Sequence, residues 1–260
     1  IIAESNNYTK ECYALKMDVK GYFIHIDRLL LTEIVNNSIN KMSHHKVSKD
    51  DSRKWIDVID INFVKYLTNI IATLNPIENC IFRSPKSDWI GLPLSKSLFS
   101  VKDGCGLPIG NLTSQLFSNI YLNELDHFVK RVLHCKHYGR YVDDFFIISQ
   151  DKEFLKTIIP KIEKFLQERL HLEVNKGKTK IINVRHGVEF LGAFIKPNRT
   201  YISNESLRRI KKKIYDIDYL NIKLTNPVQT INSYLGIFSH YKSLNIRKQI
   251  FDNITSIKKY

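Results

Sequence analysis

Apolar and polar positions divide the chain into segments of two different periods. From Cys12 to Met17 they alternate, placing Tyr13, Leu15 and Met17 on one face of a predicted strand that ends at Asp18. Asp27 then sits where an N-cap belongs, ahead of Leu29, Leu30, Ile34 and Val35 at helical spacing. A second helix is predicted from Ser52 to Leu74, on the spacing of Ile56, Ile59, Phe63, Leu67, Ile70 and Ile71, with Asn75-Pro76 as its stop. Loop-rich sequence follows to Gly106. Leu116, Ile120, Leu125, Phe128, Val129 and Val132 then predict a long amphipathic helix over Thr113 to Leu133. His137 to Val142 and Phe145 to Ser149 read as a hairpin with Asp143-Asp144 at its tip. A helix over Phe154 to Leu170 comes next, then a Gly/Lys connector from Asn175 to Lys180, and short strands at Ile181 to Val184 and Val188 to Ile195. Ser203 can cap a basic helix from Leu207 to Ile217, and the last fifty residues read as helical, interrupted at Asn226-Pro227. Strands and helices mix without regular alternation, so the fold class is α+β: an antiparallel sheet with helices, followed by a helical tail.

Charge sharpens this division. Residues 1–150 carry 18 basic and 16 acidic side chains, and residues 151–260 carry 22 and 10, so the net +14 resides almost wholly in the second part. Such asymmetry points to a polyanion, either nucleic acid or an anionic membrane surface, with a solvated lysine-rich face as the plain alternative. No stretch approaches the ~20 apolar residues of a membrane span, and Ile1 to Asn6 carry no secretory pattern, so no membrane partner and a cytoplasmic protein are expected. Opening on Ile rather than Met, the chain is expected to be a fragment. Four dispersed cysteines without a Cys-x-x-Cys pair indicate neither a disulfide framework nor a zinc knuckle. His134-Cys135-Lys136-His137 is a ligand-like cluster of the kind that also arises by chance.

The sharpest chemical signal is Tyr141-Val142-Asp143-Asp144. Adjacent carboxylates repel unless a cation offsets them, although an Asp pair can also be a plain turn dipeptide. Magnesium takes carboxylate oxygens together with water and phosphates, and two-metal chemistry needs carboxylates from more than one element. Asp18 is then the natural third member, if its strand lies beside the hairpin.

The order of segments decides between these readings. Asp18 with Phe23, then Gly106-Leu107-Pro108-Ile109-Gly110 leading into a long helix, then Tyr141 to Asp144, a lysine-rich turn and Phe190-Leu191-Gly192 together resemble a reverse transcriptase, over essentially the whole chain. The resemblance implies a right-hand palm over 1–198, with a partial fingers-side insertion at about 28–105, and a helical thumb over 199–260. It implies that the N-terminal fingers are missing from this piece. It further implies an RNA-directed DNA polymerase, a nucleotidyltransferase, working with two Mg²⁺ ions, for which Mn²⁺ can substitute. Its partners would be an RNA template, a DNA or RNA primer, deoxynucleoside triphosphates and a small basic accessory protein.

Asp18, Asp143 and Asp144 would be the catalytic metal ligands, and Lys178 the general acid near the pyrophosphate, with a solvated lysine as the alternative there. Val19 would contact the nucleotide through its backbone. Phe23 would be a steric gate against the 2′-hydroxyl, or otherwise a core aromatic. Phe190, Leu191 and Gly192 would grip the primer, and Arg208, Arg209 and Lys212, with Lys223 and Lys242 beyond them, would contact duplex phosphates.

Within the family, group II intron and retron enzymes carry Gln and Pro where Leu107 to Gln115 has Ile109 and Gln115. The form Ile109-Gly110 followed by Ser114-Gln115 is similar to reverse transcriptases of diversity-generating retroelements. That resemblance implies error-prone copying of a template-repeat RNA, with Ile109, Gly110 and Gln115 at the nucleotide. The alternatives are a group II intron or retron type, an RNA-dependent RNA polymerase, and a non-catalytic nucleic-acid-binding fragment.

Overall fold

The structure is a computed structural model that describes residues 1–78, 80–91, 93, 97–219, 227–241 and 243–251. The chain forms two compact units, Leu15–Lys180 and Ile1–Ala14 with Ile181–Tyr260.

In the larger unit, which takes all of β1 (Tyr13–Asp18) but its first two residues, the strands β1, β2 (His137–Tyr141) and β3 (Asp144–Ser149) run in the order β2-β3-β1. β1 is apolar on both sides, with Ala14, Leu15 and Met17 all buried, as suits a strand covered on both faces. Alternation puts Lys16 and Asp18 on the same side of it. Helices α1 (Tyr22–His25), α2 (Arg28–Ser43), α3 (Ile61–Thr73), α4 (Leu112–His127) and α5 (Lys152–Leu170) accompany the strands. α5 turns Leu155, Ile158, Ile162, Leu166 and Leu170 into the core, the spacing expected of an amphipathic helix. Each such side chain contributes about 1.5–3 kcal/mol when fully buried.

Asp27 caps α2, its Oδ1 accepting from the N–H groups of Leu29 (3.0 Å) and Leu30 (3.1 Å), while Oδ2 lies 3.1 Å from His171 Nδ1. Burial pushes the Asp27 carboxyl up, but the N–H groups of Leu30 and Leu29 together with His171 outweigh it, and the net shift is downward. A depressed folded value means that this contribution is intact above the ordinary carboxylate range and is lost as pH falls through the folded value. Asp27→Ala is therefore expected to cost about 1 kcal/mol at neutral pH. In urea unfolding, that difference should shrink as pH falls below the ordinary carboxylate range.

Two expected elements differ from the sequence reading. The helix predicted over Ser52 to Leu74 begins only at Ile61, because Asp60 caps it there, its Oδ1 accepting from Asn62 and Phe63; ahead of it lies a short 3-10 turn at Trp55–Asp57. Its apolar residues Phe63, Leu67, Ile70 and Ile71 are exposed. The hairpin tip is Val142-Asp143 rather than the acidic pair, since Asp144 already pairs with Tyr141 as the first residue of β3. α4 continues beyond His127 as a π-helical turn, Phe128–Val132, so the long helix predicted there is present with a local widening.

In the smaller unit, β4 (Lys180–Asn183) leads to Val184, whose N–H donates to the Cys12 carbonyl at 3.0 Å, and Arg185 donates to the carbonyls of Tyr8 and Thr9. β5 (Val188–Phe190), β6 (Ala193–Lys196) and β7 (Arg199–Ile202) form an antiparallel meander. Helices α6 (Asn204–Tyr219), α7 (Pro227–Ser239) and α8 (Leu244–Phe251) share a core of Ile202, Ile210, Ile214, Phe238 and Ile250. Ser203 caps α6 by accepting from the Ser206 N–H, and its own N–H donates to Gly192 at 2.8 Å, which ties the meander to the helices. That tie explains why the compact division falls at 180/181, whereas the sequence reading draws a palm–thumb boundary at 198/199. Among the described residues no helix is long and apolar enough to cross a membrane.

Candidate active site

Asp18 ends β1 as one of the few buried charged residues, 6% exposed. Its Oδ2 accepts from Lys178 Nζ at 2.9 Å and from Asn175 Nδ2 at 3.2 Å, and its carbonyl accepts from the Asn175 N–H at 2.7 Å. The segment after α5 thus runs beside the end of β1, where Val19 forms a bridge to Val174. Val19 is buried, and its N–H donates to the Asp143 carbonyl at 3.2 Å, which brings the hairpin turn against the residue following Asp18. Asp144 Oδ2 lies 3.3 Å from Lys16 Nζ, while its Oδ1 is buried without a hydrogen-bond partner. Asp18, Val19, Asp143, Asp144 and Lys178, widely separated in sequence, therefore meet at one end of the sheet.

The electrostatics follow from this crowding. Burial, then Asp18 and Asp144, push the Asp143 carboxyl above the usual range, with Lys178 opposing. Burial and Asp18 likewise raise Asp144, against Lys16 and Lys178. The hydrogen bond to Asp18 raises Lys178, so the ammonium is retained. Three carboxylates against two ammonium groups leave one uncompensated negative charge, and the oxygens are hard donors of the kind Mg²⁺ prefers. Among the described residues no three His, Cys, Asp or Glu side chains converge tightly enough to hold a metal by themselves. Magnesium sites commonly use one or two carboxylates with water and phosphates, so the donor chemistry and the unpartnered Asp144 Oδ1 fit such an ion once the lysines give way.

Phe23 is half-buried, edge-on to Tyr22 with ring centroids 5.4 Å apart. Its carbonyl accepts from the Leu107 N–H at 2.8 Å, and the Gly106 N–H donates to Ile26. Gly106 has φ +93°, a conformation that L side chains rarely adopt, and a Cβ there would also press on Leu98 Cδ2 at 2.8 Å, so this crossing favours glycine. The crossing sets Phe23 against the loop that carries Ile109. Ile109 is 78% exposed, so it does not pack into the core, and Gly110 and Gln115 are also exposed.

Phe190, Leu191 and Gly192 lie in the smaller unit. Leu191 (φ +50°) and Gly192 (φ +77°) form a two-residue turn of the left-handed kind that suits tight hairpins. Arg208, Arg209 and Lys212 are exposed on α6, opposite buried Ile210 and Ile214. Lys223 and Lys242 are outside the described residues. Cys135 is buried, which pushes its thiol to about 11, and His134 to His137 form no metal cluster among the described residues.

Sequence reasoning missed Lys16, Asn175, Arg140 and Asp126. The period of β1 could have shown Lys16 on the Asp18 side, but the ion pair of Arg140 with Asp126, 2.6 Å between Nη2 and Oδ2, depends on tertiary contact.

Solved telomerases share the fold. The apo enzyme of Candida tropicalis, truncated from its C-terminal domain, superposes with TM-score 0.51 at 18% identity, over 78% of this chain and 37% of that one. The Candida tropicalis enzyme in complex with the TWJ fragment of telomeric RNA gives 0.53 at 15% identity, over 95% and 42%. The Candida albicans complex gives 0.52 at 14%, over 99% and 42%. The chain thus spans about two-fifths of the length of these telomerases. No curated protein matches it in sequence. With the model for reverse transcriptase (RNA-dependent DNA polymerase) matching residues 2–195, the chain belongs to the reverse transcriptase family.

Proposed function

We propose that the protein is an RNA-directed DNA polymerase of the diversity-generating type, copying a template-repeat RNA into error-prone cDNA. The carrying observation is the meeting of Asp18, Asp143 and Asp144 with Lys178 2.9 Å from Asp18. Asp18, Asp143 and Asp144 would hold two Mg²⁺ ions, or Mn²⁺ in their place, with Asp144 nearest the primer end. When bound, the ions would supply Lewis-acid activation and charge neutralisation at the phosphates. Lys178 Nζ would swing from Asp18 to the leaving pyrophosphate and give it a proton. Phe23 would close the space beneath the sugar, and Val19 would keep the turn in place through its N–H.

In this reading 1–198 act as palm and 199–260 as thumb. Phe190 to Gly192 hold the primer, Arg208, Arg209 and Lys212 meet duplex phosphates, and a small basic accessory protein assists in the cytoplasm. RNA as the template class is supported by family membership and by the telomerase solved with an RNA fragment.

Primer extension on RNA with Mg²⁺ tests the reading, comparing deoxy- with ribonucleotides and wild type with Asp143→Ala/Asp144→Ala. Synthesis that survives the double substitution would refute it. Exposed Ile109 cannot hydrogen-bond an incoming nucleotide, and Gln at that position could. Ile109→Gln is expected to lower misincorporation opposite adenine about fivefold, the equivalent of about 1 kcal/mol of added discrimination. Sequencing of the cDNA measures it, and an unchanged error spectrum would leave the retroelement assignment without this support.

A further inference from the structure

Asp143 occupies a turn that its own sequence does not favour. Val142 precedes it with φ +56°, a left-handed conformation that a β-branched side chain resists. Something outside the turn must hold it, and Arg140 is placed to do so. Its Nε donates to Asp126 Oδ1 at 2.8 Å and its Nη2 to Asp126 Oδ2 at 2.6 Å, a bidentate pair. Nη1 donates to the Val142 carbonyl at 2.9 Å and to Asn119 Oδ1 at 3.3 Å, and Nη2 reaches the Asn119 carbonyl at 3.5 Å. All five guanidinium N–H groups thus have acceptors. The side chain is 9% exposed, and Tyr138 Oη donates to Asp126 Oδ1 at 2.6 Å, bracing the acceptor. Asn119 and Asp126 are seven residues apart on α4, hence on one face of it.

We propose that Arg140 is a positioning residue, clamping the Val142-Asp143 turn to α4 and so setting where Asp143 and Asp144 present their carboxylates. The inference rests on the reading of those two as metal ligands. Lysine at 140 keeps the charge but lacks the planar fork, so it cannot reproduce the bidentate pair with Asp126 while a third nitrogen holds the Val142 carbonyl.

The test is Mn²⁺ affinity by electron paramagnetic resonance, without nucleotide, on protein whose fold is checked by circular dichroism. Arg140→Lys is expected to bind about tenfold more weakly than wild type. Adding Val142→Gly should restore most of the loss, because glycine adopts φ +56° unaided. Asp126→Asn, which keeps the shape and one acceptor oxygen, is the milder second variant and should weaken binding about threefold. Binding by Arg140→Lys and Asp126→Asn equal to wild type would overturn the inference, as would the absence of recovery with Val142→Gly. Equal binding by wild type and Asp143→Asn would instead remove the metal-ligand reading, and the clamp's purpose with it.

Discussion

Asp143→Asn is expected to abolish RNA-templated DNA synthesis while raising the thermal midpoint. The two effects have one cause. Burial and the neighbouring Asp18 and Asp144 disfavour a charged Asp143, so a neutral amide of the same shape relieves the folded state. The same substitution would remove a hard oxygen donor that the proposed two-metal chemistry needs. The expected loss is at least about a thousandfold in rate, about 4 kcal/mol of transition-state stabilisation. Primer extension and a melting curve on the same preparation check both. A variant that is inactive but also less stable would mean that the carboxylate serves the fold. One that retains activity would dismiss Asp143 from the chemistry.

Phe23→Ala should admit ribonucleotides, with the preference for deoxynucleotides falling by about a hundredfold, within the range that removal of a steric contact produces. The ring is half-buried against Tyr22, and its backbone is fixed by the Leu107 N–H, so truncation should empty space without moving the loop. Single-nucleotide incorporation with matched ribo- and deoxynucleoside triphosphates gives the ratio. An unchanged preference would assign Phe23 to packing alone.

The sequence reading and the structure agree most closely where local chemistry decides. Asp27 and Ser203 are helix caps because a short polar side chain before an apolar run satisfies free N–H groups wherever it occurs. α5 follows from five apolar residues at helical spacing. The reading misses where several elements compete. Apolar spacing alone runs from Ser52 to Leu74, yet a capping aspartate at position 60 starts the helix there, a local signal outweighed in the sequence by the longer period. Likewise the paired aspartates look like a two-residue tip, whereas the register of β2 on β3 makes Val142-Asp143 the turn. Register comes from pairing along the whole hairpin, and two residues do not reveal it.

For the site, the sequence alone singled out the residues proposed to carry the chemistry, because the carboxylates, the aromatic after Asp18 and the lysine-rich turn occur in an order that few folds share. Only the tertiary structure decided how they are held. It placed Lys178 and Lys16 on the carboxylates, left Asp144 Oδ1 without a partner, and showed Arg140 spanning from Asp126 to the Val142 carbonyl. The physical reason is that motif order is written in one dimension, whereas charge compensation and buried hydrogen bonds act between residues such as Asp18 and Lys178 that meet only once the chain has folded.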